Sequence, residues 1–400
     1  MALAAPTAAV AQTLRIITSL PPSLTDPLIA GFRDAHPGIE VLVLNKNTNS
    51  ALSEVIRGNS RQFDIFWVSA PEPFALIKAR SGFSTTGCEA AGTDGYVPFA
   101  FSSIGWARRS GNEVFMPGTW DDLLLPAYRG KIGMALPSRS GTSHMMVERF
   151  LQVRGWEEGW SFLLALSQNL ATLSARSFGV IEGIEAGRFD IGLTIDFLAQ
   201  TQSGLDFRYG QPVMVFPAQI GLLTGGGQPV AACDFLGFVT SDQGQRILLQ
   251  PEVGRIPASP AIRDAAGDAI PDALDLAIHR SWQGYDAELA QARYWSVNMI
   301  FELFIADLLP RRRNMFARID ALEGAVEAAE LASLRRELSR VPIAETEALP
   351  SALNANPGYA SDLIRMNEAQ QEARQRWAAA AKAQLDAVDL ALTRLEAPKP

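Results

Sequence analysis

A strand, a helix and a polar turn follow one another three times between Leu14 and Arg80, and this alternation leaves the chain few architectures. Leu14-Arg-Ile-Ile-Thr-Ser19 predicts a strand. Thr25 to Ala35 predicts a helix, with Thr25 as N-cap, an early proline, and Leu28, Phe32 and Ala35 on one face. Pro37-Gly38 stops it. Ile39 to Leu44 predicts the second strand, 45–49 a polar turn, and Ser50 onward a second helix. Phe63 to Val68 predicts the third strand, followed by Ser69 and a proline-led helix to about Arg80. Such alternation means a parallel sheet covered by helices. Ligands bind beyond the carboxyl ends of the strands in sheets of this kind. Ser19, Thr48, Asn49 and Ser69 stand at those ends and are candidate ligand contacts. Each alone is also an ordinary cap or turn residue. Lys46 is a candidate for added charge there.

A second α/β set begins after Tyr96 to Trp106. A helix is predicted around Gly159 to Asn169, a strand at Ala171 to Ser174, and a helix at Ser177 to Ala186 stopped by Gly187. A strand from Asp190 to Ile195 runs into Asp196. Pro212 to Pro217 reads as another strand, Ala231 to Leu249 as helical, and Pro251 to Pro260 as a loop. From about Pro271 strand signals vanish. Apolar residues take helical spacing at Ile319, Leu322, Val326 and Leu331, and again from Ser361 to Leu395, with a break at Pro342 to Pro357.

The main chemical signal lies in Lys131 to Leu151, which reads as a short buried strand, a polar turn and an amphipathic helix. The turn carries Arg139, Ser140, Gly141, Thr142 and Ser143 where the helix starts. A helix start exposes unpaired N–H groups and the positive end of its dipole. Hydroxyls and a guanidinium there make a seat for phosphate, sulfate or carboxylate. A plain N-cap explains one hydroxyl, not the cluster. Arg176 and Ser177 repeat the pattern before the next helix. Asp196, ending an apolar strand, is either an acceptor for ligand hydroxyls or another helix cap. Tyr96 is a candidate for stacking on ligand, though core packing explains it better.

The 400 residues are 48% hydrophobic with a formal charge of −8, which allows a sizeable core and two or three domains. The acidic balance argues against a nucleic-acid binder. Met1 to Ala11 is uncharged and Ala-rich, and reads as a signal-peptide remnant. No stretch approaches the ~20 apolar residues of a membrane span. The two cysteines, Cys88 and Cys233, are compatible with one disulfide in an exported protein, and their pairing stays open. Neither lies in a metal-binding spacing, and His36, His144 and His279 are scattered. No Walker loop or Gly-x-Ser-x-Gly elbow appears, and no nucleophile has a readable base partner, so an enzyme is not expected. No cofactor is called for.

In order and spacing, "LRIITS", "FRDAHPGIEV", "FDIFWVSAPEPF", "WDDLLLPAYRGKIGMALPSRSGT", "AGRFDIGLTIDF" and "SDQGQRILL…GRIPASP" resemble the extracellular solute-binding proteins of bacterial ABC importers. The nearest subgroup holds the ferric-ion, sugar-phosphate and phosphoglycerate-type binders. The resemblance covers residues 14 to 260. It implies an α/β, two-lobed periplasmic-binding-protein fold (type II) with a C-terminal helical extension. Lobe I would be 12–102 with 216–284, lobe II 103–215, and the extension 285–400, after the remnant 1–11. Crossings between lobes are expected near Phe99 to Ser102 and Val213 to Pro217, with hinge closure on ligand. The implied function is capture of a small anionic, phosphorylated metabolite in the periplasm for an ABC permease in the inner membrane. The alternative is a ligand-sensing regulatory protein that meets a membrane sensor kinase through its extension, Arg311-Arg-Arg313 included. The competing reading makes the extension a brace packed on lobe I. Ferric members use a neighbouring tyrosine pair, whereas Tyr96, Tyr128, Tyr209, Tyr285, Tyr294 and Tyr359 are all apart, so iron is disfavoured.

Overall fold

A computed structural model describes residues 12–80, 82–267, 270, 272–280, 285–354 and 366–397. The expected signal-peptide remnant lies outside them. In chain order, β1 (Gln12–Thr18), α1 (Pro22–Ala35), β2 (Ile39–Asn45), α2 (Thr48–Ile56), β3 (Ile65–Val68) and α3 (Glu72–Arg80) come first. Next are β4 (Tyr96–Arg109), β5 (Ile132–Ala135), α4 (Gly141–Arg154), α5 (Trp156–Leu166), β6 (Leu170–Ser174) and α6 (Phe178–Glu185). These are followed by β7 (Ile191–Ile195), α7 (Asp196–Gln200), β8 (Leu205–Tyr209), β9 (Val215–Leu222), α8 (Pro229–Thr240), α9 (Asp242–Ile247), β10 (Ile256–Pro257) and α10 (Pro260–Ala266). The remaining described elements are helices: α11 (Asp272–Arg280), α12 (Ala287–Ala292), α13 (Tyr294–Phe301), α14 (Leu309–Ala321), α15 (Ala328–Leu338), α16 (Glu345–Ala348), α17 (Ser351–Asn354) and α18 (Glu368–Glu396).

The chain divides into two compact units. The first holds residues up to Phe101 together with Pro217–Ile270, and the second holds Ser102–Phe216 together with Pro271 onward. The divisions fall inside β4 and β9. Residues from Pro271 group with the second unit.

In the first unit β1 pairs in parallel with β2 and β3, and β3 pairs antiparallel with β9. Leu14, Ile16, Phe32, Trp67 and Phe235 are fully buried in one core. Burying side chains of this size contributes about 1.5–3 kcal/mol each. Cys88 and Cys233 form a disulfide, with Cα atoms 5.5 Å apart. It ties the segment before Glu89 to α8, which suits an oxidising compartment. Helix α1 starts at Pro22, not Thr25: Pro22 takes the first helical position with its φ already set, and Thr25 is buried inside the helix. Helix α2 starts at Thr48, not Ser50, because Asn47 caps it by accepting from Ser50 N at 2.9 Å. The predicted helix from Ala231 to Leu249 is two helices, since the Ser241 hydroxyl accepts from Gly244 N and starts α9. Tyr96, half-buried, packs against the Phe74 and Phe83 rings.

In the second unit β5 pairs in parallel with β6 and β7, and β4 pairs antiparallel with β7 and β8. Helix α5 begins at Trp156, earlier than predicted, because Gly155 at φ 82° ends α4 in a conformation few other residues adopt. Helices α14, α15 and α18 bury Phe316, Ile319, Leu338, Leu385 and Leu392 in a core of their own. Helix α18 starts at Glu368, where Asn367 and Gln370 cap each other reciprocally. The helical spacing read through Ile319, Leu322, Val326 and Leu331 is interrupted in the structure, where α14 ends at Ala321 and α15 begins at Ala328.

Candidate functional site

Each unit carries a polar cluster at the carboxyl ends of its strands. In the first unit, β1 leads into Ser19, β2 into the start of α2, and β3 into Ser69. Thr48 Oγ1 donates to Ser19 Oγ at 3.2 Å, so two of the expected residues meet. Thr48 and Asn49 are buried in the first turn of α2. Lys46 is taken by Glu54 at 2.7 Å, which removes it as free charge. The charge the sequence reading missed is Arg255, from the loop before β10, whose Nη2 donates to Ser69 Oγ at 3.1 Å. Arg255 is 2% exposed, and a guanidinium is well suited to planar, charge-assisted contacts. Its only sequence signal was its place in "GRIPASP".

In the second unit the chain leaves β5, makes a single 3-10 turn at Pro137–Arg139, and enters α4. Ser140 sits in extended conformation at the N-cap and accepts from Ser143 N at 3.2 Å. The same hydroxyl lies 2.7 Å from the Ser177 hydroxyl, which precedes α6. Two helix starts are therefore linked through two serines, with Gly141 and Thr142 beside them. Arg139 is exposed at this edge. Arg176 is half-buried over the Phe178 ring at 4.3 Å, and burial lowers its pKa from the ordinary value. A narrow recess next to the serines is lined by Thr142, Ser143, Ser177 and Thr194 over Ile104 and Leu193. The Thr194 hydroxyl is buried and has no hydrogen-bond partner among the described residues. A buried unpaired hydroxyl is costly and calls for a water or ligand oxygen. Thr194 sits within an apolar strand, so the sequence carried no signal for it.

Asp196 behaves differently from its neighbours. One carboxylate oxygen accepts from Ser103 N and the other from Phe197 N, both at 2.8 Å. These contacts fasten the end of β7 to β4.

The far side of α4 is held by the extension through buried polar contacts. His144 Nδ1 is 3.0 Å from Asn298 Oδ1 on α13. Asn298 Nδ2 donates to Tyr294 O, so its oxygen faces the imidazole and the Nδ1–H donates. His144 is fully buried, and desolvation drives its pKa down to about 4. Glu148, on the same face of α4, receives Arg293 Nη2 at 2.6 Å and Nε at 3.0 Å, both residues essentially unexposed. Arg293 also reaches Glu345 and lies 5.3 Å from the Trp156 ring centroid. The Ser138 hydroxyl, in the 3-10 turn, donates to Glu302. Among the described residues no group of three His, Cys, Asp or Glu side chains is placed to hold a metal, and no helix is long and apolar enough to cross a membrane.

Comparison with known proteins agrees with this architecture. The chain is 29% identical over 272 residues to the phosphoglycerate transport regulatory protein PgtC of Salmonella typhimurium, covering 64% of this chain and 68% of that one. Its fold is similar to that of the periplasmic binding protein AfuA from Actinobacillus pleuropneumoniae, solved with fructose-6-phosphate bound, at TM-score 0.57 and 14% identity over 62% of this chain and 86% of AfuA. Iron-bound HitA from Pseudomonas aeruginosa matches at TM-score 0.53 and 18% identity, over 62% and 89%. The fold is thus the two-lobed type II periplasmic-binding-protein fold, here carrying a C-terminal helical region. The sequence profile of bacterial extracellular solute-binding proteins matches residues 18–250, and the chain belongs to that family.

Proposed function

We propose that this protein is a periplasmic receptor that captures a small phosphorylated anion and delivers it to an ABC permease in the inner membrane. The observation that carries the reading is the Ser140–Ser177 contact, which links the starts of α4 and α6 with Arg139 and Arg176 nearby. Two helix dipoles and two guanidiniums favour a multiply charged ligand over a neutral sugar. Thr194 adds an unsatisfied hydroxyl beside the serines. In the first unit, Ser19, Thr48, Asn49 and Ser69, with Arg255, form a second polar cluster suited to the same ligand class. The printed names of PgtC and AfuA support phosphoglycerate or a sugar phosphate. Ferric ion fits poorly, since Tyr128 Oη is committed to Phe115 O and the half-buried Tyr96 ring packs against Phe74 and Phe83. Mass spectrometry of ligand released from purified protein tests the reading. A phosphorylated three-carbon acid or sugar phosphate is expected; a neutral sugar or a metal as sole ligand overturns it.

A second reading, ligand sensing with a membrane sensor kinase, is favoured by the grip of the extension on α4. Here the extension is the output surface and the anion the signal. Pull-down of a sensor kinase by the full chain, with and without phosphoglycerate, tests it; no ligand-dependent capture rules it out.

A further inference from the structure

Glu302 opens the π-helical turn Glu302–Ala306 that follows α13. π-turns cluster at functional sites, where the inserted residue re-aims a side chain. This one brings a carboxylate from the extension to the turn that precedes α4. The Ser138 hydroxyl donates to it, and Arg139 is within electrostatic reach. Among the described residues, the groups that act on the Glu302 charge are Ser138, Arg139 and Asp307. A negative charge beside a proposed anion seat is otherwise counterproductive, since it repels the ligand and competes for the guanidinium.

We infer that Glu302 is a positioning and specificity-determining residue of the anion seat: it fixes the Pro137–Arg139 turn through Ser138 and sets the charge the seat tolerates. This inference rests on the anion reading of the preceding section. An anion arriving at Arg139 raises the free energy of the Glu302 carboxylate, so binding favours its protonated form. Proton uptake then accompanies capture. Burial already pushes Glu302 upward from the ordinary carboxylate range, with Asp307 adding to the push and Ser138 and Arg139 opposing it. A ligand-linked proton is therefore accessible to it in a way it is not to an exposed carboxylate. The extension thereby contributes a residue to the seat itself.

Titration calorimetry of the full chain with phosphoglycerate, from about pH 6 to about pH 8 in two buffers of different ionisation enthalpy, tests this. Glu302→Gln keeps an oxygen for Ser138 and removes the charge. Glu302→Ala removes both. Glu302→Gln is expected to bind more tightly than wild type by about threefold or more, with the gain growing as pH rises and with less proton uptake. Glu302→Ala is expected to bind more weakly than Glu302→Gln, because the turn loses its anchor. If both variants bind like wild type, or both weaken equally with an unchanged pH profile and unchanged proton uptake, Glu302 is only a packing residue and the inference is overturned. Wild type that binds no phosphoglycerate at any pH overturns the anion reading itself, a distinct result.

Discussion

The hydroxyls of Ser140 and Ser177 lie 2.7 Å apart, although 37 residues separate them. Each stands just before a helix, so the contact joins the starts of α4 and α6. Ser140 also caps α4, which gives it two roles that substitution separates. Ser140→Ala is expected to cost about 1 kcal/mol of stability as a lost cap. Its effect on phosphoglycerate affinity is expected to be larger than that of any other single cap, for example Ser259→Ala at α10. Urea denaturation paired with calorimetry checks both.

The Glu148–Arg293 pair is buried on both sides. Removing one partner leaves an uncompensated buried charge. Arg293→Met is therefore expected to cost about 3–5 kcal/mol, whereas Glu148→Leu combined with Arg293→Met recovers most of that loss. Chemical denaturation of the single and double variants measures the difference. A single variant as stable as wild type would mean that the extension does not hold α4.

His144 gives a pH signature. Its pKa in the folded protein is about 4, below the ordinary 6.5. The unfolded chain thus binds the proton more readily. The stability difference is fully present above about pH 6.5 and is lost as pH falls toward about 4, by roughly 3 kcal/mol in total. His144→Gln is expected to flatten this part of the stability–pH curve, measured by thermal denaturation across that range.

Cysteines 88 and 233 close a loop with a sequence separation of 145. Replacing both by alanine is expected to cost about 2–4 kcal/mol, and to lower the unfolding temperature of the oxidised protein toward that of the reduced one. Scanning calorimetry with and without reductant checks this. Identical curves for wild type and the double variant would show that the bridge does not form.

How much of this was legible in the sequence depended on the range of the interaction. Local patterns were readable: the apolar run of β1, the apolar face of α1, and the serines before α4 and α6 all follow from nearest neighbours. Helix starts moved where a stronger local device lay close by, as at Pro22 and Asn47. The contacts that distinguish the second unit are long-range. Ser138 meets Glu302, and His144 meets Asn298, across separations of 164 and 154 residues. A helix reads the same in sequence whether its polar residue faces solvent or a buried partner, so this face of α4 was unreadable. Thr194 was hidden for the opposite reason: a threonine within Ile191–Ile195 looks like one more β-branched strand residue, and only its unpaired hydroxyl marks it. Arg255 lay in a loop with no periodicity to orient it.

The central claim is that the seat between α4 and α6 holds an anion. Calorimetric titration of phosphoglycerate into wild type, Arg139→Ala and Arg176→Ala tests it most directly. The account predicts a dissociation constant of about 1 μM or below for wild type, and a loss of about tenfold, ~1.4 kcal/mol, or more in each folded variant. Wild-type affinity in both variants, or equal heats from an uncharged triose of the same carbon skeleton, would contradict it.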